Sequence, residues 1–283
     1  MMIGPIPSSF GNMKSLVTIE ISENSLSGSI PSAIGALTNL KELSLAYNSL
    51  TGIIPTSLRN LVSLRSVSLF KNKLVGPIDD TISTLINLVY LGVSHNGFTG
   101  SLLSSFGSLK SSFKMEISYC SFSGTIPSSI GGFTNPALLD VESNSLTGSI
   151  PTSVGNVLSL TLLQLHYNKF IGSIPATVAA LTQLQRFFLS NNLFTGSLPS
   201  SLSGIKSLTL ITFEECSLSG TIPDTMSALT RLVYRNLFNN YLTMGSLITV
   251  SISTFSSATL NEIFTWKKIF WPLLLVLLIH PDL

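Results

Sequence analysis

Asparagine recurs in this chain on multiples of 24. Asn24, Asn48, Asn72, Asn96, Asn144, Asn168, Asn192 and Asn240 keep that spacing, and the two missing multiples are Cys120 and Cys216, the only cysteines present. Four residues after these positions stands a glycine, from Gly28 through Gly220, and three residues further comes proline in most copies: Pro31, Pro55, Pro127, Pro151, Pro175, Pro199 and Pro223. Gly4 and Pro7 keep the same register, and no insertion or deletion breaks it until after Asn240. A period of this length, held without slippage, restricts the chain to an architecture of stacked units, each burying its apolar face against its neighbours.

Around each of these positions the pattern is L-x-x-L-x-L-x-x-N-x-L, as in Leu40, Leu43, Leu45, Asn48 and Leu50. Leu43 and Leu45 alternate with polar neighbours, the period of a half-buried strand. Stacking turns such strands into a parallel sheet with the leucines in a continuous core. Asn suits the recurring position because its amide both donates and accepts, and so can satisfy backbone groups where the chain turns inward. Cysteine, small and a weak S–H donor, can take the same place. Glycine permits the tight turn, and proline stiffens the return segment, where no ladder N–H is needed.

This pattern resembles the leucine-rich repeat, and the trailing Gly-x-Ile-Pro, for example Gly148–Pro151, is similar to the plant-type 24-residue subclass. The resemblance covers residues 3 to 243, about ten coils. It implies a curved right-handed solenoid with a parallel β-sheet on the concave face and irregular or 3-10 turns on the convex face. It further implies a receptor-like protein with a cell-surface recognition role, tethered through its C-terminal tail.

Charged residues make up 10% of the chain, against about 25% in an ordinary soluble domain, while 45% is hydrophobic, which excludes intrinsic disorder. Fifteen Lys and Arg against 13 Asp and Glu leave +2, no footprint for nucleic acid. Cys120 and Cys216 are four coils apart, roughly 19 Å at about 4.8 Å per strand, so they cannot form an intrachain disulfide and are expected as buried structural thiols. Mean hydropathy is +0.49, yet no stretch reaches the 18 or so apolar residues of a spanning helix.

The register is imperfect in places. Ser112 and Phe113 replace a core leucine in coil five and Pro136 stands at the equivalent place in coil six, so a local distortion is expected there. Asp79 in coil three and Leu103 in coil four replace the proline, and Arg235 takes a core strand position of the last coil, which must therefore lie near solvent. At the start, Ile6, Phe10, Met13 and Leu16 are expected to face solvent, and neither a cap nor the apolar core of a signal peptide is visible. The chain thus reads as a fragment or an incomplete gene model, the alternative being an intracellular protein. Association through uncapped solenoid ends is a further expectation. Residues 244–265 form a Ser/Thr-rich segment and 266–283 a short hydrophobic tail, Ile269 to Ile279 being wholly apolar. Three readings of the tail stay open: a truncated transmembrane helix, a lipid-anchor signal following Ser256, Ser257 and Ala258, or a packed terminal helix. None of the eighteen asparagines lies in an Asn-x-Ser/Thr sequon, which weighs against heavy N-glycosylation.

No catalytic constellation has convincing spacing, and no cofactor is implied. His95 and His166 lie three coils apart, about 14 Å, too far to share a metal. Glu116 and Asp140 occupy the same outward position in adjacent coils, with Glu142 two residues on. Such carboxylates could form an acid–base pair, or a patch for a cation or basic peptide partly neutralised by Lys114. The outward positions also offer Leu138, Leu162, Gln164, His166, Tyr167, Arg186 and Phe188, with Tyr47, Phe70, Lys71, Tyr90 and His95 on earlier coils, and all are expected to be exposed. Aromatic and arginine side chains on one face favour partner contact. The expectation is a non-catalytic module that binds a protein or peptide, membrane-associated at the cell surface. The alternatives are a cytoplasmic scaffold or inhibitor and, more distantly, an enzyme using the stacked carboxylates.

Overall fold

The computed structural model describes residues 1–109, 114–133 and 137–244. Met1–Thr243 form one compact unit. The expected distortion at Ser112, Phe113 and Pro136, and the readings of the tail, lie outside the described residues. No helix among the described residues is long and apolar enough to cross a membrane.

Among the described residues, ten three-residue strands from Thr18–Glu20 to Tyr234–Asn236 form one parallel sheet in sequence order, on the concave face. Neighbours pair with an offset of one repeat: Glu116 faces Asp140, Asp140 faces Gln164, and Gln164 faces Phe188. Leu37, Leu40, Leu45 and Leu50 are fully buried behind it, and their equivalents repeat from coil to coil as a continuous apolar spine.

The Asn ladder ties each coil to the one before. Asn48 Nδ2 donates to the carbonyls of Ile21 (3.0 Å), Leu45 (3.1 Å) and Ala46 (3.1 Å), while Oδ1 accepts from the Leu26 N–H at 2.9 Å. Cys120 Sγ and Cys216 Sγ reach the equivalent carbonyls, Val93 and Leu189, at 3.6 and 3.5 Å, and both thiols are free. Cys216 is buried and Cys120 half-buried. The residue before each ladder position adopts a left-handed conformation, φ between +50° and +57°, which turns the chain out of the strand.

On the convex side each coil makes a 3-10 turn such as Ser32–Ala36, entered from an extended proline (Pro31 φ −70°, ψ 139°) and closed by the Leu37 N–H on the Ile34 carbonyl. Leu103 adopts the same extended geometry without the ring. Asp79 replaces the ring by accepting the Thr81 N–H on Oδ1 at 2.9 Å, and the turn that follows shortens to Ile82–Thr84.

A second parallel sheet, which the alternation of leucines does not announce, flanks the first. It runs as seven strands from Ile3–Pro5 to Ser145–Leu146 and then as four from Ile171–Gly172 to Tyr241–Thr243. The repeat glycine sits within it at positive φ. At Gly76 (+83°) a Cβ would come 2.8 Å from Ile53 Cγ2, so both conformation and crowding oppose a side chain. Ser27, Thr51, Thr99, Ser123 and Thr195 are exposed at one repeat position of its strands, a position taken by exposed Val75 and Ile171 in two other coils.

Two expectations at the ends resolve differently. Ile6 is buried in an apolar recess shared with Ile21 and Leu26, and Phe10 and Leu16 are half-buried, because the first coil folds its apolar side chains onto the second; only Met13 is exposed as expected. Arg235 is exposed and so avoids the cost of a buried guanidinium.

Candidate ligand-binding face

The outward positions of the concave sheet are the first and third residues of each strand and the two residues just before the ladder position, with a core residue such as Leu45 between. With parallel strands about 4.8 Å apart, any side chain longer than alanine lies against its equivalent in the next coil. This crowding corrects the expectation of an exposed face. Asp140, Leu162, Gln164 and Phe188 are buried, Glu142 is 2% exposed and His166 3%. Glu116, Leu138 and Arg186 are half-buried. Tyr167 (46% exposed), Tyr119 (41%) and Tyr47 (44%) form the accessible layer, with Lys114 also exposed.

Beneath that layer the acids are held by named partners. Tyr119 Oη donates to Glu142 Oε1 at 2.7 Å, and the Glu142 N–H donates to Asp140 Oδ1 at 3.0 Å. His166 Nε2 lies 3.0 Å from Glu142 Oε1, an ion-pair distance without hydrogen-bond alignment, and its ring packs on Tyr167 and Phe188 with centroids 5.5 Å away in each case. Tyr90 Oη donates to Glu116 Oε2 at 2.9 Å. Burial, reinforced by the Glu142 charge, pushes the Asp140 carboxyl up to about 6 against the Glu142 N–H, Ser118 and His166. Burial and the same carboxylates raise the phenols of Tyr90 and Tyr119. Register does place Glu116 beside Asp140, as expected, but Asp140 and Glu142 lie below the reach of a solute and Glu116 is engaged by Tyr90. A general acid or base must reach its substrate. No group of His, Cys, Asp and Glu among the described residues could hold a metal ion.

Two features emerge that residue-by-residue reading did not assemble. Tyr47, Phe70, His95 and Tyr119 form a continuous line of rings across four coils, with successive centroids 5.1, 5.0 and 4.2 Å apart. The signal was present but split, since three of these rings precede the ladder residue by one position and Phe70 by two. The second feature is charge. Glu20, Glu23, Glu42, Glu116, Asp140, Glu142, Glu214 and Glu215 all fall on outward positions, eight of the chain's 13 acids, whereas only Lys71, Lys114 and Arg186 do so among its 15 basic residues.

With this geometry in hand, comparison with known proteins is informative. Leucine-rich-repeat family models match residues 14–74, 87–109 and 183–205. No curated protein matches the chain. Among solved structures, a TDR receptor is 32% identical with a TM-score of 0.82, covering 85% of this chain and 42% of its own. The plant peptide hormone receptor RGFR1, solved in complex with RGF2, is 30% identical with a TM-score of 0.78 and the same coverage on both sides. The chain therefore spans less than half the length of these receptors. A plant ice-binding protein is 26% identical with a TM-score of 0.71, covering 87% of this chain and 81% of its own. Coil length, Asn ladder, 3-10 return and flanking sheet agree with these likenesses, and the chain is a leucine-rich-repeat solenoid similar to plant receptor ectodomains built on the 24-residue repeat.

Proposed function

We propose that the chain is the non-catalytic recognition module of a cell-surface receptor-like protein, and that it binds a peptide on its concave face. The observation that carries this reading is the layer of solvent-facing tyrosines over a rigid, hydrogen-bonded floor, on a solenoid similar to that of a plant peptide hormone receptor. Rigid aromatic side chains on a preorganised surface give contact area at low entropic cost. Tyr119, Tyr167, Glu116, Leu138 and Arg186 would touch the ligand, while Asp140, Glu142, Leu162, Gln164, His166 and Phe188 would hold the floor. Tethering is assigned to residues 266–283. The test is selection of a random peptide library on the full chain, repeated with the variant carrying Tyr47→Ala, Tyr119→Ala and Tyr167→Ala. Enriched peptides should bind the parent protein and lose the variant. If no peptide is enriched, or the variant retains those selected, the reading fails.

A second reading has one specific observation behind it. The chain spans most of the ice-binding relative, and the flanking sheet presents exposed hydroxyls and methyls at one repeat position of its strands. Inhibition of ice recrystallisation by the purified chain, abolished by Thr51→Lys with Thr99→Lys, would favour it; ordinary ice growth would remove it.

A further inference from the structure

We propose that the occupant of the concave face is a cationic peptide segment, its Arg or Lys side chains seated on the ring line Tyr47, Phe70, His95 and Tyr119. This rests on the peptide reading above and names the chemistry of the partner.

The first support is geometric. The rings are contiguous, and Tyr47, His95 and Tyr119 are exposed; His95 and Tyr119 stack with centroids 4.2 Å apart, so each covers one face of the other and presents its remaining face and edge at the surface. Three strand spacings make the line about 15 Å long, the reach of about five extended residues. The second support is that the line already receives a cation: Lys71 Nζ lies 5.1 Å from the centroid of Tyr47, within the range of about 6 Å over which a ring quadrupole attracts an ammonium. The third is electronic. Tyr119 donates a hydrogen bond from its hydroxyl to the buried Glu142 carboxylate, which makes its ring more electron-rich and its face a better seat for positive charge. His95 is held below its ordinary value by burial and by Lys71, so at neutral pH it offers a neutral ring rather than a competing charge.

The fourth support is the field around the line. Exposed Glu20, Glu23 and Glu42 flank its first rings and half-buried Glu116 its last, within the excess of eight acids over three bases on this face. The chain as a whole carries +2, so this face is opposite in sign to the rest of the molecule. Such segregation steers a cationic partner to the concave side and away from the convex one.

The test uses fluorescently labelled hexa-arginine, with hexa-glutamate and a six-residue Gly-Ser peptide as controls, titrated against the full chain by anisotropy at about 0.15 M salt. Hexa-arginine should bind and hexa-glutamate should not. Tyr47→Leu and Tyr119→Leu should each weaken binding about two- to fivefold. Lys71→Ala should tighten it by a similar factor, because it vacates the Tyr47 ring and removes a like charge. A gain of affinity cannot come from misfolding, so this variant keeps the test decisive. Equal binding of hexa-arginine and hexa-glutamate, or affinities unchanged in the ring and Lys71 variants, would overturn the inference. Library peptides that require the rings but carry no cationic excess would overturn it too, while leaving the broader peptide reading intact.

Discussion

Replacing Asn168 by leucine removes one rung of the ladder with little change in volume, and the structure allows its cost to be followed bond by bond. Asn168 Nδ2 donates to the carbonyls of Val141 (2.9 Å), Leu165 (3.2 Å) and His166 (3.3 Å), and Oδ1 accepts the Leu146 N–H at 2.9 Å. The three carbonyls keep other donors: Asn144 Nδ2 for Val141, Asn192 Nδ2 for Leu165, and the Ser143 N–H for His166. The Leu146 N–H, on a fully buried residue, loses its acceptor. An orphaned buried donor costs about 1–3 kcal/mol, and the weakened carbonyls add a fraction of a hydrogen bond each, so Asn168→Leu should destabilise by about 2–4 kcal/mol. Asn168→Cys, which copies what the chain does at Cys120 and Cys216, should cost about half as much. Urea unfolding gives the global value, and hydrogen exchange at the Leu146 amide reads the rung directly, since coils of a solenoid can loosen locally. If Asn168→Leu stays within about 0.5 kcal/mol of the parent with Leu146 still protected, the ladder is not what joins the coils.

Three further outcomes are expected. Gly155→Ala places a Cβ 2.4 Å from the Thr177 carbonyl oxygen and should cost about 1–3 kcal/mol in thermal or urea unfolding, whereas Gly204→Ala, with only the Ala179 oxygen at 4.0 Å, should be neutral; equal effects would contradict the packing of the 3-10 turns. Because burial raises the folded Asp140 carboxyl from 3.8 to about 6, its contribution is fully present below about pH 4 and is lost as pH rises through 6. Asp140→Asn should therefore be more stable than the parent at about pH 7.5, by up to about 3 kcal/mol, with the difference closing toward pH 4; a gap that does not change with pH would refute the buried-carboxylate account. Burial pushes both thiols up to about 11, leaving roughly a thousandth as thiolate at pH 8, so iodoacetamide should spare both cysteines in the native chain and modify both in urea, as read by mass spectrometry.

The fold was legible because a solenoid repeats its own instructions. The 24-residue spacing of Asn and Cys fixes which residues of successive coils lie side by side, so the adjacency of Glu116 and Asp140 follows by counting. Exposure does not follow by counting. Whether Asp140 or His166 meets water depends on how far Tyr119, Tyr167 and Phe188 lean across from neighbouring coils, a matter of rotamers and packing rather than position. The flanking sheet was hidden for a different reason. Its strands, such as Ser25–Ser29, carry no apolar periodicity beyond a single leucine, and they are held by the backbone bonds of neighbours already stacked, as where Lys169 N–H meets the Leu146 carbonyl. Leu103 shows in turn that the proline of the repeat is a convenience, since a hydrophobic residue reaches the same extended entry to the 3-10 segment, whereas the Asx turn at Asp79 enters a shortened one from Thr81 in a helical conformation.

The two cysteines have a consequence for how the molecule would come apart. At every asparagine rung a strong carbonyl oxygen takes an N–H from the preceding coil, but at Phe98 and Phe194 that N–H meets only a sulfur, a weaker acceptor. A tower that is uniform in shape is therefore uneven in cohesion, with softer seams between coils four and five and between coils eight and nine. Pulled from its two ends, it would shed blocks rather than single coils: four, then four, then the last two.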